Sequence, residues 1–224
     1  MMKSCLISIL VSLASFTTAW GQASGTQVTE TDSTLTLRNS KVRVEFPKGE
    51  AFDISKLTLN GKELVLSKGY NTVPWTLTYK GPQGENPVLF PSHGEYAGWA
   101  KTTKDGHVAI AFKWNMRLTY QDLVPVVMTV SLPGDSELAY WDIQAGTPDG
   151  WLVSNTQFPR ITVTRPDKAK LITSAGWGAE YNLSNPQVYT SSYPSVTGSM
   201  QLLLLHNPDG SVYYLSLIHI SEPT

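Results

Sequence analysis

Cysteine is nearly absent from this chain: its 224 residues include one, Cys5. That cysteine falls in a segment that reads as a removable leader, so the mature chain can form no disulfide and must be held by its core alone. Charge is also scarce. Asp, Glu, Lys and Arg make up 16% of the residues, and 17 basic against 18 acidic side chains leave a formal net charge of −1. The basic residues are scattered, whereas a nucleic-acid backbone would require a concentrated positive surface, so no nucleic-acid partner is expected. Long apolar runs are missing too, and no membrane span is expected in the mature chain. No segment carries a sustained 3.6-residue stripe, which argues against a helical architecture. Two families of chemistry lose their support in the same way. There is no Gly-x-Ser-x-Gly elbow for acyl transfer. Gly176-Trp-Gly178 reads as a turn and not as a phosphate-cradling loop.

What the chain does have is an amino-terminal segment that looks processed. Met1 to Ala23 combines Lys3, the apolar run Cys5 to Ala14, and the small residues Gly21 and Ala23 before Ser24. This is the pattern of a signal peptide (residues 1–23), and it predicts a secreted or periplasmic, soluble product. Residues 24–33 are polar and aperiodic and are expected to form a mobile linker. The expected domain occupies residues 34–214.

Within that domain the alternation has period two. Val42, Val44 and Phe46 fall on one side of a strand, with Lys41, Arg43 and Glu45 on the other. Asn60-Gly61 and Asp105-Gly106 are dipeptides that accept positive φ at both turn positions, so each predicts a hairpin. Val108 to Tyr120 alternates for so long that it predicts a large curved sheet, or one strand bent by a bulge. Further strands are expected at 126–132, 138–143, 152–153, 161–163, 171–172 and 200–205. Strands linked by short turns, with no helical segment between them, predict an all-β antiparallel sandwich.

The longest irregular stretch, residues 177–199, is rich in Gly, Ser, Asn, Tyr and Pro. Trp177, Tyr181, Tyr189 and Tyr193 lie there beside Asn182, Asn185 and Gln187. Sugar rings present apolar C–H faces that pack on aromatic rings, while amides bond their hydroxyls. Trp177, Tyr181, Asn182, Tyr189 and Tyr193 are therefore the candidate carbohydrate-binding residues, against the blander reading that these rings pack the loop down or meet another domain. Trp114 and Trp141, on long strands, read as core or sheet-face residues.

The opening, Leu35-Thr-Leu-Arg-Asn-Ser-Lys-Val-Arg-Val-Glu-Phe46 followed by Leu57-Thr-Leu-Asn-Gly-Lys-Glu-Leu-Val65, resembles the first strands of a known domain type. That domain is the N-terminal β-supersandwich, of galactose-mutarotase-like fold, found in secreted bacterial glycoside hydrolases. Tyr193-Pro-Ser195, Ser199-Met-Gln201 and Asn207 to Tyr214 are similar to signatures of uncharacterised glycoside-hydrolase-like proteins. The resemblance implies a supersandwich followed by a (β/α)-barrel that holds the catalytic carboxylates. It also implies carbohydrate and that downstream domain as partners, with no cofactor. The final ten residues, Leu215 to Thr224, resemble instead the translation of a sequencing-library adapter. The genuine chain is expected to end near Tyr214, before any barrel begins.

No residue is accordingly assigned a catalytic role. Glycoside hydrolysis takes two carboxylates about 5–5.5 Å apart for retention or about 6.5–9.5 Å for inversion. Asp53, Glu95, Asp142 and Glu180 are available, yet none sits in a recognisable motif. Mutarotase chemistry would need a carboxylate with histidines. His93 forms a His-x-Glu with Glu95, His107 follows a hairpin turn, and His206 ends a strand. None of these patterns specifies a metal or a proton relay, and no metal site is expected. The sequence thus predicts the non-catalytic, carbohydrate-associated domain of a secreted glycoside hydrolase. The alternative is a free-standing carbohydrate-binding or adhesion module. A polysaccharide-lyase sandwich ranks below both, because its helical toroid would have to precede it.

Overall fold

The computed structural model describes residues 25–48, 53–64, 73–120, 122–161, 168–174, 178–182, 202–210 and 212–216. The signal-peptide segment, the strand expected at 161–163 beyond its first residue, and residues 217–224 of the suspect tail lie outside them. The described residues form an all-β protein whose only helical element is a single 3-10 turn at Pro91–His93. Among the described residues every strand pairing is antiparallel, in four sheets, consistent with a β-sandwich.

The first sheet is a meander of β1 (Gln27–Glu30), β2 (Thr34–Arg38), β3 (Val42–Pro47), β4 (Lys56–Leu59) and β5 (Lys62–Leu64). On β3, Val42, Val44 and Phe46 are buried while Arg43 is exposed, so period-two patterning sets the face. Asn60 and Gly61 take φ of 49° and 77°, the left-handed pair that a two-residue hairpin between β4 and β5 demands. β1 corrects the expectation of a mobile linker over 24–33. Its backbone pairs with β2 from Gln27↔Arg38 to Glu30↔Leu35, and Val28 packs on the core.

The longest strands make the next sheet, in the order β11 (Tyr140–Ala145), β10 (Leu123–Leu132), β9 (His107–Arg117), β8 (Gly94–Lys104). Asp105 and Gly106, at φ of 51° and 79°, close the β8–β9 hairpin. The bend anticipated for so long a pairing is a bulge in β8. Tyr96 pairs with Trp114 and Gly98 with Lys113, which leaves Ala97 unmatched. Gly98 sits at φ 108°, where a side chain would be strained. β9 ends at Arg117, so the expected continuation to Tyr120 fails. The backbone carbonyl of Asp122 accepts from the N–H of both Leu118 and Thr119, turning the chain and leaving Tyr120 fully exposed at the tip.

A smaller sheet, β12 (Leu152–Gln157), β6 (Thr76–Lys80) and β7 (Val88–Leu89), adds Leu77 and Tyr79 to the core, together with Trp75 just before β6. These three sheets share one hydrophobic core, with Phe46, Trp75, Tyr79, Phe112 and Trp114 all essentially inaccessible. Phe46 of the first sheet meets Phe112 of the second with ring centroids 4.8 Å apart. Trp75 meets Trp114 edge to face at 5.4 Å. These ring contacts tie the layers together.

The fourth sheet runs β14 (Ala179–Asn182), β13 (Lys170–Thr173), β15 (Leu202–His206), β16 (Val212–Ser216). Leu205 of β15 and Ala169, just before β13, are buried outside the shared core. An ion pair at 2.8 Å joins Lys62 of β5 to Asp209 in the β15–β16 turn. Leu215 and Ser216, the first two residues of the suspect tail, continue β16 and pair with Leu203 and Leu202.

Close packing makes one substitution in β8 informative. A Cβ on Gly94 would lie 2.8 Å from the carbonyl oxygen of Asn115 and would collide with the sulfur of Met116. The sulfur can move, but the backbone oxygen of a central strand cannot. Gly94→Ala is expected to cost about 1–3 kcal/mol, whereas Ala100→Ser on the exposed side of β8 should stay within about 0.5 kcal/mol. Urea midpoints measured for the two variants decide between packing and general intolerance.

Candidate functional site

The faces of the β11-β10-β9-β8 sheet differ. Trp114, Phe112, Ile110, Met128 and Val130 occupy the side turned to the core. The alternate residues of the same strands project the other way. Across the register this second side presents rows: Thr102, Ala109, Ser131 and Tyr140 in one, Ala100, Ala111, Thr129 and Asp142 in the next. Gly98, Lys113, Val127 and Gln144 form the third, followed by Glu95, Asn115 and Pro125.

Polar side chains gather at the edges of this surface. The ammonium of Lys104 lies 3.5 Å from Asp142 Oδ2, and the amide of Gln144 donates to the same oxygen at 3.2 Å. Both members of the ion pair are more than a third exposed, so solvent screening holds its contribution to about 1 kcal/mol or less. His107 and Tyr140 stand in nearly parallel planes, 8° apart, with ring centroids separated by 6.0 Å. That spacing is an offset arrangement, leaving flat ring surface uncovered. Tyr140 is 37% exposed.

Of the candidate carbohydrate-binding residues, two lie among the described residues. Tyr181, half-buried, and Asn182, exposed, lie on β14, so a strand occupies part of what was expected to be irregular chain. Trp177, Tyr189 and Tyr193 fall outside the described residues, as do Asn185 and Gln187. Among the acids, Glu180 is held by Lys170 at 2.6 Å. Asp53 accepts the N–H of Ile54 at 2.8 Å, and Glu95 is exposed on β8. His93 packs against Phe90 with the ring planes tilted 41° apart, and its Nδ1 lies 3.3 Å from the carbonyl of Val88. His206 is half-buried on β15. Among the described residues no three His, Cys, Asp or Glu side chains converge as a metal site would need, and no helix is long and apolar enough to cross a membrane.

Sequence reasoning passed over Tyr140 and gave His107 only a hairpin-surface role. One signal was present in β9. Its outward residues are small or polar throughout, with His107, Ala109, Ala111, Lys113 and Asn115 in alternation. Five alternate positions with no bulky apolar residue do not specify a ligand, and Ala109 among them is closed to solvent.

No family model and no solved structure matches the chain. Among curated proteins it is similar to one from Bacteroides thetaiotaomicron named "Putative glycoside hydrolase", with 40% identity over 210 residues. The alignment takes in 93% of this chain and 31% of that relative's length. The chain is thus similar to a part of a glycoside-hydrolase-like protein.

Proposed function

We propose that this chain is the carbohydrate-associated accessory region of an exported glycoside hydrolase, a galactose-mutarotase-like supersandwich whose catalytic domain lies elsewhere in the longer protein. The observation that carries the reading is the 40% identity over nearly all of this chain to under a third of a protein named for glycoside hydrolysis. Export rests on the leader-like residues 1–23. Its partners are then carbohydrate and the catalytic domain, against which the sandwich packs.

On this reading the chain does not cleave glycosides by itself. Two suitably spaced carboxylates are needed, and three of the four acids weighed above are engaged elsewhere. Asp142 and Glu180 are engaged by lysines and Asp53 by a backbone N–H. The purified chain should release no reducing sugar above buffer from aryl glycosides or polysaccharides, while the longer gene product does. Turnover by the chain alone, abolished by substituting Glu95 or Asp142, would place the reaction here and end the accessory reading.

A second reading, a free-standing carbohydrate-binding or adhesion module, draws support from the Tyr140 and Asp142 surface. It predicts glycan binding by the chain and no loss of hydrolysis when the region is deleted from the longer protein.

A further inference from the structure

We propose that the β9–β10 turn of the sandwich is a docking point for the rest of the longer protein, with Tyr120 and Leu123 as its anchors. The inference rests on the accessory reading above and gives that packing a location.

The turn is braced and apolar at once. The backbone carbonyl of Asp122 accepts from the N–H of Leu118 and from that of Thr119. The Thr119 hydroxyl donates to Asp122 Oδ2 at 2.8 Å and accepts the Asp122 N–H at 3.0 Å. The Arg117 guanidinium closes on the carbonyl of Tyr120 at 3.2 Å. On this fixed backbone Tyr120 is 97% exposed, and Leu123, the first residue of β10, is 60% exposed. They are the two most exposed large hydrophobic residues among those described. Pro125, further along β10, is exposed as well. A braced turn has little freedom left to lose on docking. Tyrosine suits the centre of an interface, because it offers a large, stiff, amphipathic area. Arg117 and Asp122 supply the charged rim that surrounds such a centre.

The other end of β10 is built differently. There the Asn39 amide donates to the carbonyls of Pro133 at 2.7 Å and Ser136 at 2.8 Å, and the Asn60 amide donates to Glu137 at 3.0 Å. The β10–β11 turn is thereby bound to the first sheet of the same molecule. The bonds named for the β9–β10 turn all stay inside it, and its apolar side chains face water.

Length argues for the occupant. The alignment takes in 31% of the relative, so more than two-thirds of such a protein lies outside the matched region. A covalently attached domain meets the turn at high effective concentration. A few apolar anchors are then enough, where a separate protein would need about 1,200 Å² or more of buried surface.

Hydroxyl-radical footprinting of the chain alone and of the longer gene product tests the proposal. Tyr120 and Leu123 should label about fivefold or more slowly in the longer protein, because anchors at an interface's centre are desolvated. Leu138, exposed beside the β10–β11 turn, should label equally in both. Leu123→Asp, at an exposed position, should return Tyr120 in the longer protein toward its chain-alone rate. Tyr120→Ser, read at Leu123, is the reciprocal variant should the first fail to fold. Equal labelling of Tyr120 in the two proteins overturns the docking point and leaves the accessory reading standing. Slowed labelling of Leu138 in its place assigns the docking to another surface and overturns it too. If the chain alone sediments as a dimer that Tyr120→Ser abolishes, the anchors serve a second copy and the proposal fails. The accessory reading itself falls only if the chain alone hydrolyses glycosides, whatever the footprint shows.

Discussion

Replacing Trp114 by alanine is expected to remove about 3–5 kcal/mol from the unfolding free energy. Trp114 is inaccessible to solvent in a central strand, flanked by β8 and β10. Its ring meets Trp75 at 5.4 Å, Tyr96 at 5.8 Å and Phe112 at 6.3 Å, so it joins two sheets and supports three other large rings. Truncation forfeits the transfer free energy of the indole and leaves a void its neighbours cannot close without shifting strands. Domains are stable by only about 5–15 kcal/mol in total, so the variant should populate unfolded chain measurably in water. Lys113→Ala, one residue away on the opposite face, is the control and should move stability by no more than about 0.5 kcal/mol. Urea denaturation followed by circular dichroism gives both midpoints. Equal shifts would show that Trp114 does not link the layers.

The sheets of the shared core were legible in the sequence wherever a local rule was sufficient. Asn60-Gly61 and Asp105-Gly106 announced their hairpins because only such residues tolerate two successive left-handed positions, and both adopt them. Val42, Val44 and Phe46, and Val108 through Met116, announced their strands because one buried face imposes strict alternation. β8 was illegible for the opposite reason. Its bulge shifts parity, so Tyr96 and Trp99, three residues apart, both pack on the core. Period-two counting sees no pattern there. β1 was missed because an edge strand with one core contact, Val28, needs no apolar periodicity; backbone pairing alone places it. Tyr120 was misplaced because alternation carries no information about where the chain turns. The side-chain pairs on the outer side of the long-stranded sheet were illegible in a deeper sense. His107 and Tyr140, or Lys104 and Asp142, become neighbours only through the register of β8 to β11. No short motif encodes a register.

Alkaline titration is expected to destabilise the protein between about pH 10 and about pH 12. Burial pushes Tyr79 and Tyr96 from the ordinary phenol value of 10.0 up to about 12, because each ring would have to carry its negative charge in a poorly solvated setting. Tyr79 is inaccessible, and its hydroxyl donates to the carbonyl of Gly146 at 2.9 Å, a bond the phenolate could not make. Below pH 10 both tyrosines are neutral in the folded and the unfolded chain, so neither makes stability depend on pH. Between the two values the unfolded chain has released protons that the folded chain still holds. Stability must therefore fall as pH rises. A two-unit difference on Tyr79 corresponds to a loss on the order of 2–3 kcal/mol by pH 12. Tyr96, only half-buried, adds in the same direction. Tyr79→Phe removes the titrating group at the cost of one hydrogen bond, about 1 kcal/mol at neutral pH. It should begin less stable than the parent and then lose less between pH 10 and 12. Thermal melts across that range would expose the difference as converging curves, and curves that stay parallel would show that Tyr79 ionises as freely in the folded protein as in the unfolded one.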